Sequence, residues 1–197
     1  MISKVDPITL EVIGTNLRGI VREMQISLYR TGYSTNIRES QDACCAITDR
    51  EGRLIAAYEI LYCYLGTFPV CVQEVLKRYP GDKIKPGDAF IMNHPYFSGI
   101  PHVPDVALVT PVFYGDELVA FCGTVAHKSD MGGMVPGSGS GKSREIFHEG
   151  LLMPPLRYAS DYRINKELEE ILRANSRTPV LVAGDVEGQI GVDRLGE

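Results

Sequence analysis

The whole histidine complement of this chain, His94, His102, His127 and His148, falls in one central stretch of a 197-residue sequence. Asp105 follows His102 at the third position, and Asn93 and Asp130 lie in the same stretch. Imidazole is the commonest metal ligand, and imidazole together with carboxylate suits a divalent ion. Such a set does Lewis-acid chemistry and makes water nucleophilic at neutral pH. Taken one at a time, the same residues read as ordinary surface or core histidines, so the pattern needs elements that would bring them together.

A hairpin supplies them. Residues 105–114 and 118–126 are two apolar runs rich in β-branched residues, separated by Gly115-Asp-Glu117. Such runs around a short glycine-containing loop predict paired antiparallel strands. With a three-residue loop Tyr114 pairs with Leu118, and Asp105 falls opposite His127. Directly opposed residues have Cβ atoms roughly 4.5–5.5 Å apart, close enough to share one ion. A two-residue loop would slip the register by one and turn one of the pair to the other face. His102 reaches Asp105 through Val103-Pro104, where proline disfavours helix and holds a tight extended turn.

Composition bounds the rest. Apolar residues make up 44% and charged residues 23% of the sequence, ordinary values for a globular protein with one core. The net charge of -5 leaves no basic stripe for nucleic acid or an anionic membrane. No apolar run approaches the roughly 18 residues that span a bilayer, and Met1-Ile-Ser-Lys-Val-Asp-Pro7 lacks a signal-peptide core. The five cysteines match no zinc-ribbon or redox spacing, so a reduced, cytoplasmic protein is expected.

Along the chain, Asp6-Pro7 caps a long helix on which Leu10, Ile13, Leu17, Ile20, Val21, Met24 and Leu28 recur at helical spacing up to about residue 30. Two short strands, 44–48 and 53–58, flank a turn at 49–52. A helix follows over 68–79, then a turn-rich linker over 80–87 and a strand over 88–93. Residues 165–175 form an amphipathic helix. Residues 181–196 place Leu181, Val182, Val186, Ile190 and Leu195 at helix-like spacing, apolar surface that is expected to need a packing partner. The expected fold class is α+β: a long N-terminal helix, short strands with a hairpin carrying the site, and C-terminal helices. Residues 1–197 read as a single N-terminal domain or a fragment of a larger subunit.

Between the hairpin and the last helices lies a glycine-rich loop over 131–143. Gly137-Ser-Gly-Ser-Gly-Lys142-Ser143 imitates a phosphate-binding loop, but Pro136 stands where that pattern requires its first glycine. An amide-rich active-site loop fits better, with Lys142 and Arg144 available to a substrate anion or phosphate.

Asp6-Pro-Ile-Thr-Leu-Glu-Val-Ile, Asn93-His-Pro-Tyr96, His102-Val-Pro-Asp105, Ala126-His-Lys-Ser-Asp-Met-Gly-Gly133, and Pro136-Gly-Ser with Glu145-Ile-Phe-His-Glu-Gly150 occur in that order. On these motifs essentially the whole chain resembles the hydantoinase B/oxoprolinase family, the N-terminal part of a B-type subunit. The resemblance implies relatives that are N-methylhydantoinases, 5-oxoprolinases, caprolactamases, and acetone or acetophenone carboxylases. These work with an A-type subunit that uses ATP and magnesium. It implies a divalent metal on His102, Asp105 and His127, the trio the hairpin had already gathered, with Asp42 and His148 as further ligands; the mixed nitrogen and oxygen donors point to zinc or manganese. Where the family usually has aspartate this chain has His94, and where it often has a second histidine stands Lys128.

The implied activity is the metal-bearing part of an ATP-dependent amidohydrolase that opens a cyclic amide such as a hydantoin, oxoproline or lactam. The same resemblance admits a ketone carboxylase subunit or a non-catalytic assembly subunit. Asp130 is expected to orient His127 as a supporting carboxylate. An oligomer or a complex with an A-type subunit is the expected working form.

Overall fold

The computed structural model describes residues 5–58, 61–137 and 139–197. Helix α1 (Pro7–Thr31) starts where Asp6 accepts hydrogen bonds from the amides of Ile8 and Thr9, with Pro7 in the first turn, whose missing N–H costs nothing there. It ends at Gly32, whose N–H reaches the Leu28 carbonyl. Only the second half of its apolar face is covered: Val21, Met24 and Leu28 are buried, whereas Leu10 and Ile13, expected on the same face, are exposed. A short helix α2 (Thr35–Arg38) leads to the first strands, β1 (Ala43–Asp49) and β2 (Leu54–Ala57).

Helix α3 (Thr67–Arg78) follows, then β3 (Ala89–Met92), the short α4 (Pro95–Ser98), and the long hairpin β4 (Asp105–Tyr114) and β5 (Glu117–His127). The chain closes with β6 (Leu156–Ser160), β7 (Arg163–Ile164), α5 (Lys166–Ala174) and α6 (Pro179–Gly196). All pairings are antiparallel, and the sheet order is β2-β1-β5-β4-β3-β6-β7. The architecture is thus mixed helix and antiparallel sheet, with the hairpin at the centre of a larger sheet than the sequence had suggested.

Side chains alternate across this sheet, as the two-residue period of a strand requires. Cys44, Ala46, Ala107, Val109, Phe121 and Val125 pack on one face against Phe68, Cys71, Val72 and Val75 of α3. On the other face, Ala43, Cys45, Ile47, Cys122 and Ala126 meet α1, and Val106 and Leu108 meet Val182, Val186 and Ile190 of α6. The apolar surface of residues 181–196 that was expected to need an outside partner is therefore largely covered by the chain's own sheet; of its five residues Leu195 remains exposed. Gly184 lets α6 sit close to the connection after α1, because a Cβ there would lie 2.5 Å from Tyr33 Cγ.

The hairpin differs from expectation in one detail. Its loop is Gly115-Asp116, with Tyr114 paired to Glu117 and Gly115 at φ 60° supplying the positive dihedral a tight turn needs. A bulge then places Val119 as an extra residue, so that Phe113 pairs with Leu118 but Val112 pairs with Ala120. The bulge restores the register that a three-residue loop would have set, and Asp105 pairs with His127.

Candidate metal centre

The site forms at one end of the sheet, where three adjacent strands begin or end. Asp105 opens β4 and His127 closes β5; Asp42 immediately precedes β1, and its carbonyl accepts the His127 amide at 3.0 Å. By strand parity all three face the α3 side. His102 joins them through a tight turn in which the Asp105 amide reaches the His102 carbonyl at 3.1 Å. Asn93 holds this turn from behind: its side-chain amide donates to the carbonyls of Val103 and Leu151 and accepts from the Met153 amide. Glu149 adds a further tie, its Oε2 accepting the Val103 amide at 3.0 Å.

Three ligand atoms converge. His102 Nε2 lies 3.2 Å from His127 Nδ1 and 3.3 Å from Asp105 Oδ1, and His127 Nδ1 lies 3.2 Å from Asp105 Oδ1. A proton satisfies one edge of such a triangle, whereas a cation near its centre meets all three corners. An ion bound tetrahedrally at about 2.0–2.1 Å sets its ligand atoms about 3.3 Å apart. The donor set and the spacing both fit a divalent metal. Asp42 Oδ2 stands just outside, 3.8 Å from His127 Nδ1.

Charge is arranged to match. Burial raises the Asp105 carboxyl, but hydrogen bonds from His102 and His127 outweigh it and bring the group below its ordinary value. His102 is raised by its bond to Asp105, against the effect of burial, with Glu149 and Asp42 adding to the raise. Asp105 is 2% exposed, whereas the side chains of His102 and Asp42 are 40% and 38% exposed, so the open side of the triangle faces solvent.

The family model for hydantoinase B/oxoprolinase matches residues 6–197. The chain belongs to this family. Among the family's members it is 36% identical to a putative D-/L-hydantoinase polypeptide of the B type from Pseudomonas sp. strain NS671, over 99% of this chain and 33% of that one. The crystal structure of ATP-dependent caprolactamase from Pseudomonas jessenii superposes with a TM-score of 0.89 at 29% identity, covering 99% of this chain and 33% of the other. Acetone carboxylase in its nucleotide-free structure has the same fold, with a TM-score of 0.89 at 18% identity over 97% of this chain and 25% of that one. The chain spans about a third of the length of the curated hydantoinase and caprolactamase subunits it matches.

Not every residue expected at this hydantoinase B-type site lies in the triangle. His148 sits in a short 3-10 turn, where its Nδ1 accepts the Arg144 amide and its Nε2 lies 3.3 Å from Glu145. Asp130, expected to orient His127, is engaged elsewhere: Arg177 binds it through both guanidinium and backbone N–H, and the Gly132 amide reaches it as well. Arg144 lines a cleft of about 410 Å³ with Tyr96, Pro101 and Glu149, beside the His102 turn. Lys142 is exposed on the glycine-rich loop, of which Ser138 lies outside the described residues. His94 packs against Phe97 in a tilted arrangement, with ring centroids 4.4 Å apart.

Two residues enter the site without a signal in the sequence. Glu149 is one. The other is Tyr64, whose hydroxyl lies 2.8 Å from Asp42 Oδ1 and 3.0 Å from Asp105 Oδ1. Burial, then the charges of Asp105 and Asp42, push its phenol far above the ordinary range and keep it a donor. Lys128 points the other way, as parity demands, and its buried ammonium donates to Gln189 of α6. Burial lowers that ammonium to about 8.

Proposed function

We propose that this chain carries the metal-bearing hydrolytic centre of an ATP-dependent amidohydrolase that opens a cyclic amide, a hydantoin, oxoproline or lactam. The observation behind this reading is the convergence of His102 Nε2, Asp105 Oδ1 and His127 Nδ1 to within 3.2–3.3 Å of one another. Bound among them, a zinc or manganese ion supplies Lewis acidity and water made nucleophilic at neutral pH.

The chain's own residues define the rest. Asp105 provides a buried, ionised carboxylate that retains a cation, and the two imidazoles complete a neutral-donor pair around it. His102 and Asp42 border the solvent side, where an amide carbon has access. Arg144, in the adjacent cleft, offers a guanidinium to the phosphoryl group of an activated amide. An A-type subunit transfers that group from ATP, since the only phosphate-loop pattern here is broken by Pro136. The hydantoinase and caprolactamase relatives support a cyclic amide over a ketone, because the acetone carboxylase likeness extends to the fold alone.

Metal analysis and turnover together test this. The purified chain should bind one divalent ion, lost in His127→Ala, and should open a hydantoin or lactam when combined with its A-type subunit and ATP. Metal content unchanged in that variant would overturn the site. Bicarbonate incorporation into a ketone in place of ring opening would overturn the reaction.

A further inference from the structure

Tyr64 ends the 3-10 turn Tyr62–Tyr64 and is 3% exposed, its ring set in the core with Phe68 and Cys71 of α3. Its hydroxyl is within hydrogen-bond reach of one oxygen from each of two carboxylates, Asp42 Oδ1 at 2.8 Å and Asp105 Oδ1 at 3.0 Å. A phenol carries one hydrogen, and ionised carboxylates only accept. The shorter bond goes to Asp42. Holding Oδ1 leaves the second oxygen, Oδ2, turned toward the triangle at 3.8 Å from His127 Nδ1. Asp42 is otherwise a partly exposed carboxylate at a strand entry, and among the described contacts its side chain has, besides the 3.8 Å approach to His127, only the Tyr64 hydroxyl at hydrogen-bond distance.

We propose that Tyr64 is a positioning residue: it holds Asp42, a further ligand on the family resemblance, with Oδ2 turned toward the trio. The inference rests on the metal reading of the trio. The hydroxyl fixes the Asp42 rotamer by donating its one hydrogen to Oδ1. A rigid ring anchored in the core does this better than a flexible polar side chain, since less rotamer freedom is lost.

Cobalt(II) and zinc titrations of the purified 197-residue chain test it, with cobalt absorption bands reporting the ligand set. Tyr64→Phe keeps the ring and should keep the fold by circular dichroism, yet weaken metal binding by roughly 10–100-fold and shift the cobalt bands. Asp42→Asn should do the same, and the double variant should lose less than the product of the two single losses. Tyr64→Phe with wild-type affinity and spectrum, or fully multiplicative losses, would overturn the role of Tyr64. Should Tyr64→Phe fail to fold, Asp42→Asn decides, because unchanged affinity there removes the residue through which Tyr64 acts. A wild-type chain that binds no cobalt would instead overturn the metal reading itself, and this proposal with it.

Discussion

Asp105 and His127 are directly paired across β4 and β5, and their Oδ1 and Nδ1 atoms lie 3.2 Å apart. Two departures from an ideal hairpin combine to put them there. The turn is one residue shorter than expected, and the bulge at Val119 adds one back. Without the bulge, a two-residue turn would have set Asp105 opposite residue 126, whose side chain faces α1 rather than α3.

The pair should control metal retention. Asp105→Asn preserves the shape of the side chain but removes its charge, so the variant should fold and bind zinc at least 10-fold more weakly, in line with losses of 10-fold or more for perturbed metal sites. Competition against a chromogenic chelator measures this. Wild-type affinity in Asp105→Asn would mean that the triangle is held by hydrogen bonds alone.

The turn should matter to stability and not to metal. A Cβ at Gly115 meets no heavy atom within 4 Å, so the cost of Gly115→Ala is the left-handed backbone alone. That cost is about 1–2 kcal/mol. Urea unfolding should register it, while metal content stays at the wild-type level. Loss of metal in this variant would show that the register depends on the turn rather than on the bulge and the buried strands.

Arg177 ties the loop after β5 to the start of α6. Asp130 is 1% exposed and takes both a guanidinium and a backbone N–H from Arg177. Arg177→Ala strands a buried carboxylate with fewer donors. Because Arg177 itself is about half exposed, the expected loss is about 2 kcal/mol, below the 3–5 kcal/mol seen for fully buried pairs. Asp130→Asn should leave zinc affinity unchanged, since Asp130 touches Arg177 and not His127. A drop in affinity would restore it as a support for the imidazole.

The trio was readable because its spacing is local: His102 and Asp105 share a proline-held turn, and His127 closes the partner strand. Sequence showed neither the Tyr64 contact nor the Arg177 partner of Asp130, since both join elements far apart in the chain. Strands β6 and β7 were missed for a different reason. Their turn uses Asp161 and Tyr162 at φ 50° and 61°, residues that give no glycine signal for a tight hairpin. Lys128 stands where the family often has a second histidine, but it directly follows His127 at the end of β5 and its side chain runs to the opposite face, toward Gln189. The exposed first half of α1 was equally hidden, because periodicity reports a face and not what covers it.

Asp193 gives the fold a pH dependence separate from the candidate metal centre. It is fully buried on α6; burial, and then the charge of Glu197, raise its carboxyl well above its ordinary value of 3.8, against the opposing pull of Thr124 and Arg194. One of its oxygens accepts from Thr124 at 3.4 Å and the other has no partner. The folded protein therefore holds the proton to a higher pH than the unfolded chain, which releases it above about pH 4. The native state then binds more protons than the unfolded one, so this group's contribution to stability falls as pH rises, by about 1.4 kcal/mol per unit, until its native pKa is reached. Asp193→Asn keeps the shape and removes the titration. In the presence of chelator, urea unfolding at a series of pH values above about 4 should show the variant gaining on the wild type as pH rises. Parallel curves for the two proteins would mean that Asp193 is ionised in the fold.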